Sequence, residues 1–282
     1  LHNQVTTTID IVNPWNEGIG LVNYRGWGNA TGWAKPEFKL DDINDIINDE
    51  DLPVVFSFVC NTGDFGNETN DRCFGEKLTT YGSASNPKGA VAVIGPSDLD
   101  TDTRFNNVLC GQIWDEMIEG RIYELAPLLH AGKQAVAREF EGLEVASVNG
   151  GTMSIPKFYH HVYSVLGDPS LSIWFGQPNE MDYSLASTDL TQSNVSLTVS
   201  DHGGNPLQDV VGALLNSEGD LIAKGCSNED GLLNIDFSGI LDGTQLELYL
   251  NAPQFLQKKI ELIYHSDDGS DFTDAGYSYN VV

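Results

Sequence analysis

The hydrophobic pattern changes character once along the chain. In the first two-thirds, short apolar runs alternate with amphipathic stretches. Residues 19–24, 53–59 and 90–94 are rich in β-branched and aromatic side chains and stop at Gly, Cys or Gly-Pro, which reads as buried strands. Residues 40–48, 74–81, 105–119 and 122–140 carry helical spacing. Strands too apolar to alternate, separated by helices, predict an α/β domain whose parallel sheet is covered on both faces, with its reactive groups where the strands end. Beyond the Gly176-Gln177-Pro178 break, helical periodicity gives way to short strands at 195–199, 213–215, 221–225, 232–237, 246–250 and 259–264. The turns between them are rich in Gly, Asn and Asp, so this part predicts an antiparallel β-sandwich. The expected division is an α/β domain over 1–177 and an all-β domain over 178–282.

Charge narrows the class of partner. The 282 residues include 41 acids against 14 bases, a net charge of −27. Such a surface repels phosphate and anionic headgroups, so neither nucleic acid nor membrane is an expected partner. No apolar stretch approaches the ~18 residues of a membrane span. A chain that begins at Leu1 and is this acidic is expected to be a processed piece of a longer precursor, secreted or at the cell surface. Four cysteines, Cys60, Cys73, Cys110 and Cys226, are too few and too widely spaced for a disulfide scaffold or a structural zinc site.

Candidate chemistry gathers at the ends of the first two long strands. Tyr24-Arg-Gly-Trp-Gly28 closes one in a glycine-rich turn, and Phe58-Val-Cys-Asn-Thr-Gly-Asp-Phe65 closes the next with a thiol. A thiol at a carboxyl edge, beside backbone N–H groups freed by Gly28 and Gly63, is arranged like a nucleophile with an oxyanion hole. A cysteine closing a buried strand also serves as a small core residue, and the residues alone leave both roles open. The alternating carboxylates Asp98, Asp100 and Asp102 suggest a calcium loop. Thr103 and Leu109 stand at its sixth and twelfth positions, which excludes an EF-hand but leaves a different calcium site or a solvated loop.

Four ordered motifs, Phe58-Val-Cys-Asn-Thr-Gly-Asp-Phe65, Cys73-Phe-Gly-Glu76, Lys88-Gly-Ala-Val-Ala-Val-Ile94 and Val165-Leu-Gly-Asp-Pro-Ser-Leu171, resemble the catalytic subdomain of the gingipain family of cysteine peptidases, over residues 19–174. The resemblance implies a caspase-like α/β fold followed by an immunoglobulin-like domain, and a Cys–His dyad acting on polypeptide. It places Cys60 at the nucleophile and the amides of Gly28 and Cys60 at the oxyanion hole. The family's histidine lies in a Gly-His-Gly turn, which here reads Gly26-Trp27-Gly28. An indole can only donate a hydrogen bond, so Trp27 cannot take the thiol proton. His160 and His161 are better read as structural or solvated, and His2, His130, His202 and His265 have no motif context.

Two functions follow. One is a secreted gingipain-like cysteine peptidase homologue with an incomplete dyad and weak or absent activity; the other is a non-catalytic binding or structural module of an extracellular assembly. The family also carries strands ahead of the one ending at Trp27, so the precursor's own N-terminal segment is an expected partner.

Overall fold

The computed structural model describes residues 6–146, 151–174 and 176–266. The chain divides into two compact units, Leu1–Gly176 and Gln177–Val282.

In the first unit the elements run α1 (Ile9–Asn16), β1 (Leu21–Arg25), a small meander of β2 (Gly28–Asn29), β3 (Gly32–Ala34) and β4 (Glu37–Lys39), then β5 (Val54–Phe58), α2 (Phe74–Thr80), the hairpin β6 (Gly82–Ser83) and β7 (Asn86–Pro87), and β8 (Ala92–Pro96). There follow α3 (Thr103–Ile118), α4 (Leu125–Glu139), β9 (Glu144–Ala146), β10 (Thr152–Ser154), α5 (Ile155–Val162) and β11 (Tyr163–Leu166). The central sheet has the order β1-β5-β8-β11. Its first three strands are parallel, with Arg25 opposite Phe58 and Phe56 opposite Ile94, while β11 runs antiparallel to β8. The fourth strand therefore departs from the all-parallel expectation. It enters directly from α5 without a crossover, and only an antiparallel direction is open to a strand that starts beside Pro96 at the carboxyl edge.

The two-residue period of a strand decides which side chain goes to which core. Along β5, Val54, Phe56 and Phe58 face a core built with α3, α4 and α5, while Val55 and the following Val59 face a second core with Trp15, Trp33, Phe38 and Phe74. All five residues of β5 and all five of β8 are buried, as strands covered on both faces must be. The second core is polar at one point: Trp33 Nε1 donates to Ser57 Oγ at 2.9 Å, and Ser57 Oγ lies 2.8 Å from Thr62 Oγ1. Helix α5 holds His160 and His161 on its solvent side, as expected from its amphipathic pattern. Residues 40–48, expected to be helical, form only a 3-10 turn at Asp42–Asp45. Their Asp and Asn side chains compete for backbone groups: Asp42 Oδ2 accepts the Lys39 N–H at 2.6 Å, and Asn48 clamps Gly89 through both its amide nitrogen and its oxygen.

The second unit is built of strands β12 (Met181–Leu185), β13 (Asp189–Leu190), β14 (Asn194–Asp201), β15 (Val211–Asn216), β16 (Leu221–Cys226), β17 (Leu232–Asp236), β18 (Thr244–Asn251) and β19 (Lys258–Tyr264), with no helix among the described residues. Two sheets, β12-β14-β17 and β13-β19-β18-β15-β16, enclose one core. Val195, Leu197 and Val199 of one sheet and Leu246, Leu248 and Leu250 of the other show the alternation of half-buried strands. The short strands β12 and β13 were not apparent from the sequence, because Tyr183, Ser184 and Asp189 leave too few apolar positions to betray a period. No helix among the described residues is long and apolar enough to cross a membrane.

Removing the Ser57 hydroxyl orphans two buried groups at once. Ser57→Ala is expected to cost about 1–3 kcal/mol in denaturant unfolding, whereas Ser83→Ala, on an exposed hairpin, should change stability by less than about 0.5 kcal/mol; equal effects would contradict this packing.

Candidate active site

Parallel pairing places the loops after β1, β5 and β8 at one edge of the sheet, and Cys60 lies there, two residues past the end of β5. The loop that carries it is fastened to the loop after β8 by three bonds. Cys60 Sγ donates to the Thr101 carbonyl at 3.3 Å, the Asn61 N–H to the Asp98 carbonyl at 3.1 Å, and the Gly63 N–H to the Pro96 carbonyl at 2.8 Å. Asn61 takes a left-handed conformation (φ 61°), which its short polar side chain tolerates and which turns the chain sharply after the thiol. Cys60 itself is half-buried.

The neighbouring turn is pressed against the same strand end. A Cβ at Gly28 would sit 2.6 Å from the Gly32 carbonyl oxygen and 3.1 Å from Val59 Cγ2, so only glycine lets β2 approach the residue before Cys60 this closely. The Trp27 carbonyl accepts from Tyr24 Oη at 2.9 Å and from the Ala34 N–H at 2.8 Å. With Trp27 and Ala34 hydrogen-bonded, the alternation of an antiparallel pair leaves Gly28 opposite Trp33 with its N–H directed away from β3. The Cys60 N–H has no acceptor among the described residues. Gly63 is a correction: its N–H is taken by Pro96 and is not free for an oxyanion. The Trp27 side chain is 74% exposed, as are, to a lesser degree, Phe65 and Leu99 on the other two loops.

The Cys73-Phe-Gly-Glu76 motif ties these loops together. Glu76 Oε2 accepts the Cys73 N–H at 2.9 Å at the start of α2, the Phe74 N–H donates to Ala30 and the Gly75 N–H donates to Thr62, each at 2.8 Å. One helical turn thus holds both the β2–β3 connection and the Cys60 loop. Burial pushes the Cys73 thiol up to about 11 and also raises that of Cys110, so neither is an available nucleophile.

Among the described residues, no histidine or carboxylate is hydrogen-bonded to Cys60 Sγ. Among the described residues its sulfur has one hydrogen bond, to a carbonyl. His160 Nδ1 turns back to the Pro156 carbonyl at 2.9 Å and its ring stands 6.0 Å from that of His130, away on α5 and α4. His202 and His265 pair with Asp182 and Asp242 in the second unit, and His2 lies outside the described residues.

Two of the three candidate calcium ligands have backbone partners in this loop. Asp98 Oδ1 accepts the Asp100 N–H at 2.9 Å, and Asp102 Oδ1 accepts the Arg104 N–H at 2.8 Å as the cap of α3. Alternating acids in a strand-to-helix loop here act as turn and cap acceptors. Among the described residues, no three or more His, Cys, Asp or Glu side chains are gathered to hold a metal ion.

Beneath the loop lies a group the sequence reading missed: Asn106 on α3 with Tyr159 and Tyr163, all buried. The available signal was an asparagine in register with Leu109, Cys110 and Ile113 on the buried stripe of α3.

The family model for peptidase family C25 matches residues 2–174, more than half of the sequence. The chain belongs to peptidase family C25. This family C25 chain is 25% identical over 249 residues to gingipain R1 of Porphyromonas gingivalis, covering 86% of its own length and 23% of that protein. To a Lys-gingipain of the same organism it is 22% identical over 240 residues, covering 79% of its own length and 13% of that protein. Its fold is shared with the crystal structure of the Arg-specific cysteine proteinase gingipain R (TM-score 0.74, 21% identity, 93% of this chain and 57% of that one). A complex of the pro- and mature domains of the Porphyromonas gingivalis protein RgpB is equally similar in fold (TM-score 0.76, 20% identity, 93% and 58%). The family C25 chain therefore spans less than a quarter of these curated relatives and a little over half of the solved chains.

Loss of the α3 cap in Asp102→Ala should lower stability by about 1 kcal/mol, by the same amount in chelator as in millimolar calcium. A loss seen only with calcium present would show that Asp102 holds a calcium ion.

Proposed function

We propose that this chain is a secreted gingipain-like cysteine peptidase homologue in which Cys60 stands at the nucleophile position, the amides of Gly28 and Cys60 line the oxyanion position, and Trp27 replaces the dyad's histidine, leaving activity weak or absent. The observation that carries this reading is the hydrogen bond of the thiol, which Cys60 Sγ donates to the Thr101 carbonyl, with no imidazole or carboxylate bonded to it among the described residues. Attack on a peptide carbonyl needs a thiolate and then a proton for the leaving amine, and a histidine serves both steps. An indole N–H serves neither. The Gly28 N–H, directed away from β3, and the unpartnered Cys60 N–H support an oxyanion cradle that survives without its base.

The substrate class in this reading is polypeptide. The relatives include an Arg-specific proteinase and a Lys-gingipain, and the present residues assign no side-chain preference. Strand β1 is the outermost strand of the sheet, with no further strand paired to it among the described residues. A solved complex of pro- and mature domains within the family supports the precursor's own segment as the partner there. The second unit, with two sheets around one core, is read as the immunoglobulin-like module and is assigned no catalytic residue. Secretion is supported by the acidic composition.

The second reading, a binding or structural module, is favoured by the exposed side chains of Trp27, Phe65 and Leu99 on the three loops of this edge, an apolar rim suited to holding a polypeptide without cutting it.

Trp27→His tests the first reading. An imidazolium beside Cys60 stabilises the thiolate, so iodoacetamide labelling of Cys60 near pH 7 should rise by about tenfold or more, with the exposed Cys226 as an unchanged internal reference. Equal labelling before and after the substitution would remove position 27 from the site.

A further inference from the structure

Three polar side chains lie in the apolar core directly under the Cys60 loop. Tyr159 Oη and Tyr163 Oη reach Asn106 Oδ1 at 2.8 and 2.7 Å. The Asp102 N–H donates to Tyr159 Oη at 3.2 Å, and Asn106 Nδ2 points to the Phe58 carbonyl at 3.5 Å. The one Tyr159 hydroxyl hydrogen has two acceptors in reach, Asn106 Oδ1 at 2.8 Å and the Asp102 carbonyl at 3.2 Å; the shorter contact takes it, so Asn106 Oδ1 accepts from both tyrosines and Tyr159 Oη accepts from the Asp102 N–H. Burial pushes both phenols well above their ordinary value, so they remain donors throughout the physiological range. Proton direction in the network is thereby set.

The network's two outlets bracket the thiol. One is the Phe58 carbonyl, two residues before Cys60; the other is the Asp102 amide, adjacent to Thr101, whose carbonyl receives the Cys60 proton. The Thr101 hydroxyl is buried with no partner among the described residues, and the N–H that shares a peptide with its carbonyl, that of Asp102, is held by Tyr159.

We infer that Tyr159 is a positioning residue for Cys60: its hydroxyl, oriented by Asn106, fixes the Asp102 amide and so aims the Thr101 carbonyl that holds the thiol proton at rest. The inference rests on Cys60 being the reactive thiol of the proposed site. Its consequence is a latched nucleophile. A thiol whose hydrogen is engaged must give up that bond before it reacts, so loosening the acceptor speeds reaction.

Tyr159→Phe removes the hydroxyl and keeps the ring. In that variant Cys60 should be alkylated about 3- to 10-fold faster by iodoacetamide at pH 7.5, with sulfur displacing iodide and the thiol proton passing to buffer. The infrared S–H band of Cys60, assigned by its loss in Cys60→Ala, should move from a hydrogen-bonded to a free-thiol frequency. The buried Cys73 and Cys110 must stay unlabelled, which separates unlatching from unfolding, and Cys226 normalises the rate. Tyr163→Phe removes the other donor to Asn106 without touching Asp102, and should leave the band in place. An unmoved band and rate in Tyr159→Phe, or the same change in both variants, would overturn the inference while leaving the proposed site intact. A Cys60 that no variant labels, Trp27→His included, would overturn both.

Discussion

Strand β5 must be buried on both faces and paired on both edges, and most of the first unit follows from that requirement. Its five residues carry no charge and only one hydroxyl, so water cannot satisfy either face. Pairing with β1 and β8 satisfies the backbone, the helices α3 to α5 cover one face, and α1, α2 and the β2–β4 meander cover the other. Parallel pairing then forces the loops after three strands to emerge together. Cys60 is placed at this edge by topology before any specific contact is considered, and the bonds to Pro96, Asp98 and Thr101 refine a position the sheet has already chosen.

How much of this was legible depended on which physical signal each element carries. The strands 53–59 and 90–94 were readable because fully apolar runs of that length have few alternatives, and helices α2, α3 and α4 because their stripes are long. The antiparallel entry of β11 was hidden, since direction in a sheet is set by the connection before it and not by the strand's own residues. Residues 40–48 misled because apolar spacing at Ile43, Ile46 and Ile47 imitates a helix, while the intervening Asp and Asn side chains take the backbone's hydrogen bonds for themselves. Cys60, Gly28 and Trp27 were singled out by resemblance to the family's motifs. Thr101, Tyr159 and Tyr163 were not, because a carbonyl acceptor and the partners that aim it leave no pattern along the chain.

The same limit explains the acidic loop after β8. Asp98, Asp100 and Asp102 have the alternation of a cation site, and in the structure Asp98 and Asp102 each accept a backbone N–H, one of the turn and one of α3. Helix capping and metal coordination ask for the same residue types, and only the direction of the carboxylates separates them. The candidate site has a thiol bonded to the Thr101 carbonyl and an exposed indole on the neighbouring turn. Family membership fixes the scaffold of such a site without fixing its chemistry.

That chemistry is tested most directly by cleavage of an unstructured polypeptide, comparing the unsubstituted chain with Cys60→Ala. The account predicts hydrolysis at background in both, with no difference between them. Efficient cleavage by the unsubstituted chain that disappears in Cys60→Ala would show that another group takes the thiol proton and would contradict the account.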